Sequence, residues 1–73
     1  MIMYKLTKFE NVLRLSDNAF IPFDPFNVDA QEFAGWLWSG EKPEPAEEGD
    51  EYVSDEWIDD LLNKFGYKDG VGG

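Results

Sequence analysis

Apolar and polar positions alternate at the start of the chain. Tyr4 and Leu6 are interleaved with Lys5 and Thr7, and Leu13 and Leu15 flank Arg14. A period of two is the signature of strands with one face buried, so two strands are expected with Phe9–Glu10–Asn11 as the turn between them. Ser16–Asp17–Asn18 makes a second turn into Phe20–Ile21–Pro22–Phe23. Proline has no N–H for a ladder bond, which limits this third strand to a short one at a sheet edge. The pattern predicts a small antiparallel meander.

The period then changes. Ala30, Phe33, Ala34 and Leu37 fall at i, i+3, i+4 and i+7, with Trp36 and Trp38 flanking the stripe. The spacing predicts a helix over 30–39, opened by a capping box Asp29-x-x-Glu32 and closed by Gly40. Gly35 inside it costs about 1 kcal/mol relative to Ala, which implies close packing against another element. A second stripe of Trp57, Ile58, Leu61, Leu62 and Phe65 predicts a helix over 55–65. Ser54 is its N-cap, Val53 is placed to staple onto Ile58, Asp55 and Glu56 lie in the favourable first turn, and Gly66 is the stop. Its stripe joins the core if the helix folds back, and is a partner-docking face if it does not.

Between the helices, residues 41–52 hold two prolines and six acids, the composition of an extended acidic linker that cannot build core. The fold expected is therefore α+β: a small antiparallel β-hairpin or meander followed by two amphipathic helices joined by an acidic linker. One domain over 1–66 comprises the meander and first helix (1–40), the linker (41–52) and the second helix (53–66), and 67–73, rich in glycine, form a flexible tail.

Charge changes this picture most. Sixteen acids against six bases give a net charge of −10 over 73 residues. Residues 1–40 are close to balance, and 41–73 carry eleven acids against three bases. Such a chain is repelled by nucleic acid and anionic membranes and steered toward basic surfaces. The acids Glu47, Glu48, Asp50, Glu51, Asp55, Glu56, Asp59 and Asp60 form the densest stretch, with Trp57 among them as a candidate anchor. These nine residues are the candidate partner-binding set. Their density resembles the charge spacing of a nucleic-acid backbone, the principle on which acidic mimics block basic clefts. The competing reading of each acid taken singly is an ordinary solvated face.

Chemistry of other kinds has little to stand on. The chain has no Cys and no His, so thiolate nucleophiles, the usual zinc ligands and the common general base are all missing. Carboxylate pairs at i,i+4 on one helix do not converge across a cleft, no EF-hand loop is present, and the glycines do not form a phosphate loop. No catalytic, cofactor or metal site is expected, and neither a membrane span nor a signal peptide is visible.

Ile21–Pro22–Phe23–Asp24–Pro25, then Asn27, Asp29, Glu32–Phe33, Trp36–Leu37, Gly40 and Pro43–Glu44–Pro45–Ala46 make up an unusual ordered motif. It resembles a motif of small proteins from bacteriophages that infect proteobacteria, many labelled tail or tail-fibre assembly accessories. The resemblance covers residues 21–46 and extends to Arg14–Leu15–Ser16–Asp17 before it. It implies a hairpin-plus-helix unit of phage origin and no reaction. The C-terminal third departs from it, since such relatives continue into a basic, Arg-containing segment where Tyr52–Phe65 is acidic. Two functions are expected. The first is a non-enzymatic phage accessory that blocks a basic surface of a host protein in the host cytoplasm; the second is a tail-assembly accessory. Self-association is a further possibility.

Overall fold

The computed structural model describes residues 3–67. It is an α+β fold: a three-stranded antiparallel sheet followed by two helices. Strands β1 (Tyr4–Leu6), β2 (Asn11–Arg14) and β3 (Ala19–Pro22) lie in the order β1-β2-β3. Helix α1 spans Val28–Trp38 and α2 spans Asp55–Lys64.

The meander is as expected in number and order of strands, but its parity differs. Tyr4 pairs with Arg14 and Leu6 with Val12, and Val12 pairs with Ile21. Tyr4, Val12 and Ile21 are buried, so Val12 and Arg14 face the helices while Leu13 and Leu15 face away. The segment Val12-Leu13-Arg14-Leu15 has apolar residues in both registers, and Arg14 decides between them. Its guanidinium donates to Asp29 on α1 at 3.1 Å and to both carboxylate oxygens of Asp17, at 2.8 and 3.0 Å. A charge on the inner face is tolerated because it is paired at the rim of the sheet. Asn18, at φ 59°, takes the left-handed position of the β2–β3 turn, which asparagine accepts more readily than most side chains. The first turn lies one residue earlier than expected, because Asn11 already belongs to β2 and Thr7 Oγ1 accepts from the Phe9 N–H.

Helix α1 packs the expected stripe, Ala30, Phe33, Ala34 and Leu37, into the core. Tyr4 meets Phe33 edge-on at 4.8 Å, and Phe23 stacks on Phe33 at 6.0 Å. Its cap differs: Asn27, not Asp29, accepts from the Ala30 N–H at 3.0 Å. The Asp24–Pro25 turn, closed by Asn27 N–H to the Asp24 carbonyl at 2.9 Å, starts the helix two residues early. Asp29 then sits in the first turn, where the helix dipole favours it and Arg14 reaches it.

Helix α2 folds back onto α1 and buries Ile58, Leu61 and Leu62, so its stripe is core. Ser54 is the N-cap as expected, accepting from Trp57 N–H at 3.2 Å. The C-terminus closes with Gly66 at φ 84° and two successive backbone bonds, Gly66 N–H to Asn63 and Tyr67 N–H to Leu62. Tyr67, assigned to the tail from sequence, is thus part of the helix cap. Its ring lies against Trp38, and its hydroxyl would be 3.2 Å from a Cβ at Gly35. That contact accounts for the small residue inside α1. The remaining tail, 68–73, lies outside the described residues.

The segment between the helices departs most from expectation. Pro43 is fully buried, and Glu44 bridges Lys5 in parallel, with Glu44 N–H to Tyr4 O at 3.0 Å and Leu6 N–H to Glu44 O at 2.8 Å. Residues expected only to link therefore cover the outer edge of β1 and add to the core. Prolines on either side of Glu44 suit this edge, since only one residue donates to the ladder there.

Candidate functional site: an acidic face beside an apolar groove

The acidic stretch starts where the chain leaves the sheet. From the Glu44 bridge it passes through a tight turn at Glu47–Asp50, closed by the Asp50 N–H on the Glu47 carbonyl at 3.1 Å with Gly49 at φ 93°, and reaches the Ser54 cap. Both ends of the stretch are thereby tied to the body of the molecule. Glu47, Glu48, Asp50 and Glu51 are exposed on this loop, and Asp55, Glu56, Asp59 and Asp60 are exposed on α2. All eight acids of the candidate set face solvent.

The acids are not equivalent. Glu47 is paired with Lys8 of the β1–β2 turn, and Asp55 lies 3.3 Å from Lys42. Both pairs are exposed, so each contributes at most about 1 kcal/mol. Sequence reasoning missed these partners because Lys8 lies on the β1–β2 turn, far along the chain from Glu47, and Lys42 is separated from Asp55 by the whole loop. On the inner side of the loop, Lys5, Glu44, Pro45 and Tyr52 line a recess of about 500 Å³.

Trp57 occupies a different position from the rest of the candidate set. It is half-buried, packed on the core and edge-on to Phe23 at 5.8 Å. As a free-standing anchor it is therefore unavailable, and its outer edge instead lines a groove of about 330 Å³ between the β1–β2 turn and α2. Asp60 borders this groove, so the acidic face and the groove meet along one side of α2. Phe9, which forms part of the groove wall, is 79% exposed. An aromatic residue between two predicted strands was the only sequence signal for it.

Among the described residues, no group of acidic, His or Cys side chains is arranged to hold a metal ion, and no helix is long and apolar enough to cross a membrane. Comparison with protein-family models, with curated proteins and with solved structures gave no match.

Proposed function

We propose that this protein is a non-enzymatic binding protein that occupies a basic surface of another protein through the acids of the 47–51 loop and α2. The observation that carries this reading is their arrangement: four exposed carboxylates stand on a loop anchored at the Glu44 bridge and at the Ser54 cap, and four more follow on α2. Anchoring matters because a charged surface that is already ordered loses less entropy on binding than a free linker does. The resemblance of residues 21–46 to small phage proteins makes a host protein the natural partner, and blockage of a nucleic-acid-binding cleft the natural effect.

Charge reversal at Glu48, Glu51 and Glu56 to Lys tests it. These side chains are exposed and no ion pair among the described residues uses them, so folding is kept. In a pull-down from host lysate, proteins held by the wild-type chain at low salt should be released by high salt and not captured by the triple variant. Capture that survives both changes would sink the proposal.

A second reading, a phage tail-assembly accessory, is favoured by the open face of the sheet. Phe20 is 66% exposed there, and Met3 and Leu15 are exposed beside Leu13. Co-sedimentation of the protein with purified virions would favour assembly over blockage.

A further inference from the structure

The groove beside the acidic face has a composition that narrows what it can take. Its floor is apolar: Leu6, Phe23, Trp57 and Leu61. One wall is Phe9, on a turn that is built rather than loose, since the Phe9 N–H donates to Thr7 Oγ1 at 3.0 Å and the same hydroxyl reaches the Asn11 side chain. An aromatic ring held at 79% exposure by an ordered turn is apolar area that no described residue covers. Its gain comes when another apolar group lies against it.

The rim sets the sign of the charge. Glu10 stands on the turn side and Asp60 on the α2 side, with Lys64 as the one cation among the described lining residues. Glu56 lies one turn before Asp60 on the same exposed face. The molecule as a whole carries −10, so an anionic ligand is repelled both locally and at long range. At about 330 Å³ the groove is at the lower end of ligand-sized pockets, enough for one large side chain and its neighbour.

We infer that this groove seats a leucine-sized or aromatic side chain of a partner peptide segment whose adjacent residue is Arg or Lys, the apolar group resting on Trp57 and Phe9 and the cation on Glu10 and Asp60. The inference rests on the binding reading given above and adds to it a short-range element. Acids alone steer a basic partner, whereas an apolar side chain in a pocket fixes its register and slows its release.

The test uses the full chain, labelled with nitrogen-15, and three blocked peptides: Ala-Leu-Arg-Ala, Ala-Ala-Arg-Ala and Ala-Leu-Glu-Ala. The first should shift the amides of Leu6 to Asn11, the Trp57 indole N–H and Leu61, and the other two should bind at least about fivefold more weakly. Phe9→Ser, at an exposed position that leaves the core intact, should weaken the first peptide by a similar factor, and Lys64→Gln should tighten it. Glu10→Gln provides a second variant outside the core and outside the 47–60 acids, with weakening expected. Absence of any groove shift up to the solubility limit of the peptide would overturn the inference. So would shifts confined to the 47–51 loop, which would leave the basic-partner reading standing. Equal binding of the Leu-Glu peptide would overturn both at this surface.

Discussion

Arg14 shows how one side chain settles a choice that the apolar pattern leaves open. Residues 12–15 satisfy a period of two in either register, and the alternation of Leu13 and Leu15 about Arg14 favours the register that the structure does not adopt. Hydrophobicity alone cannot separate the two registers, because Val12 in the core and Leu13 in the core bury similar areas. The difference comes from a guanidinium that finds Asp17 within its own hairpin and Asp29 on α1. Neither partner lies on β2, so this set of bonds is invisible to a strand-by-strand pattern. It also has a pH signature. Hydrogen bonding from Arg14 holds the Asp17 carboxyl below its ordinary value of 3.8, and the Ala19 N–H adds to this. A depressed folded-state pKa means that the stabilisation is fully present above the unfolded value and is lost as pH falls through the lowered one. An NMR titration of Asp17 should therefore give a midpoint below 3.8, and Arg14→Gln should raise it. A wild-type midpoint at or above 3.8 would show that the clamp does not persist in solution.

At the scale of elements, the features legible in the sequence are those set by short-range spacing. The stripe of Ala30, Phe33, Ala34 and Leu37, the Ser54 cap and the Gly40 and Gly66 stops each depend on residues within one or two turns, and all are present. The exposed acids of the candidate site were legible for the same reason, whereas the groove was not, since it joins the β1–β2 turn to α2 across most of the chain. The bridge between Lys5 and Glu44 was also hidden. Composition marks 41–52 as linker, and it is correct that most of its side chains face water; Pro43 and the backbone of Glu44 nevertheless bind the segment to β1. This packing should be measurable. Pro43→Gly removes a fully buried ring and adds backbone freedom to the unfolded chain, for a combined loss of about 2 kcal/mol. Urea unfolding should show a lower midpoint with an unchanged slope. A loss below about 0.5 kcal/mol, the scale of an ordinary surface substitution, would mean that the segment is laid on the sheet without stabilising it.

For the whole molecule, the same carboxylates act on folding and on binding with opposite sign. The described residues extend 34 × 26 × 23 Å. At 0.01 M salt the screening length is about 30 Å, so charges across the entire body repel one another; at physiological salt it falls to about 8 Å and only neighbours interact. Screening also weakens the ion pairs of Lys8, Arg14 and Lys42, which pulls stability the other way. These pairs are exposed at one or both partners and contribute little each, whereas a net charge of −10 leaves most acids without a compensating base. Relief of repulsion should win. Raising salt from 0.01 to 0.15 M at neutral pH is expected to raise Tm by about 4–8 °C, the equivalent of roughly 1 kcal/mol for a domain of this size. The reversal of Glu48, Glu51 and Glu56 to Lys removes more than half of the net charge, so its Tm should be higher at low salt and nearly independent of salt. Calorimetry of the two proteins across that range provides the comparison. A wild-type Tm that falls with salt would show that the ion pairs outweigh the repulsion. It would also remove the physical ground for treating the acidic face as a surface maintained at the expense of stability.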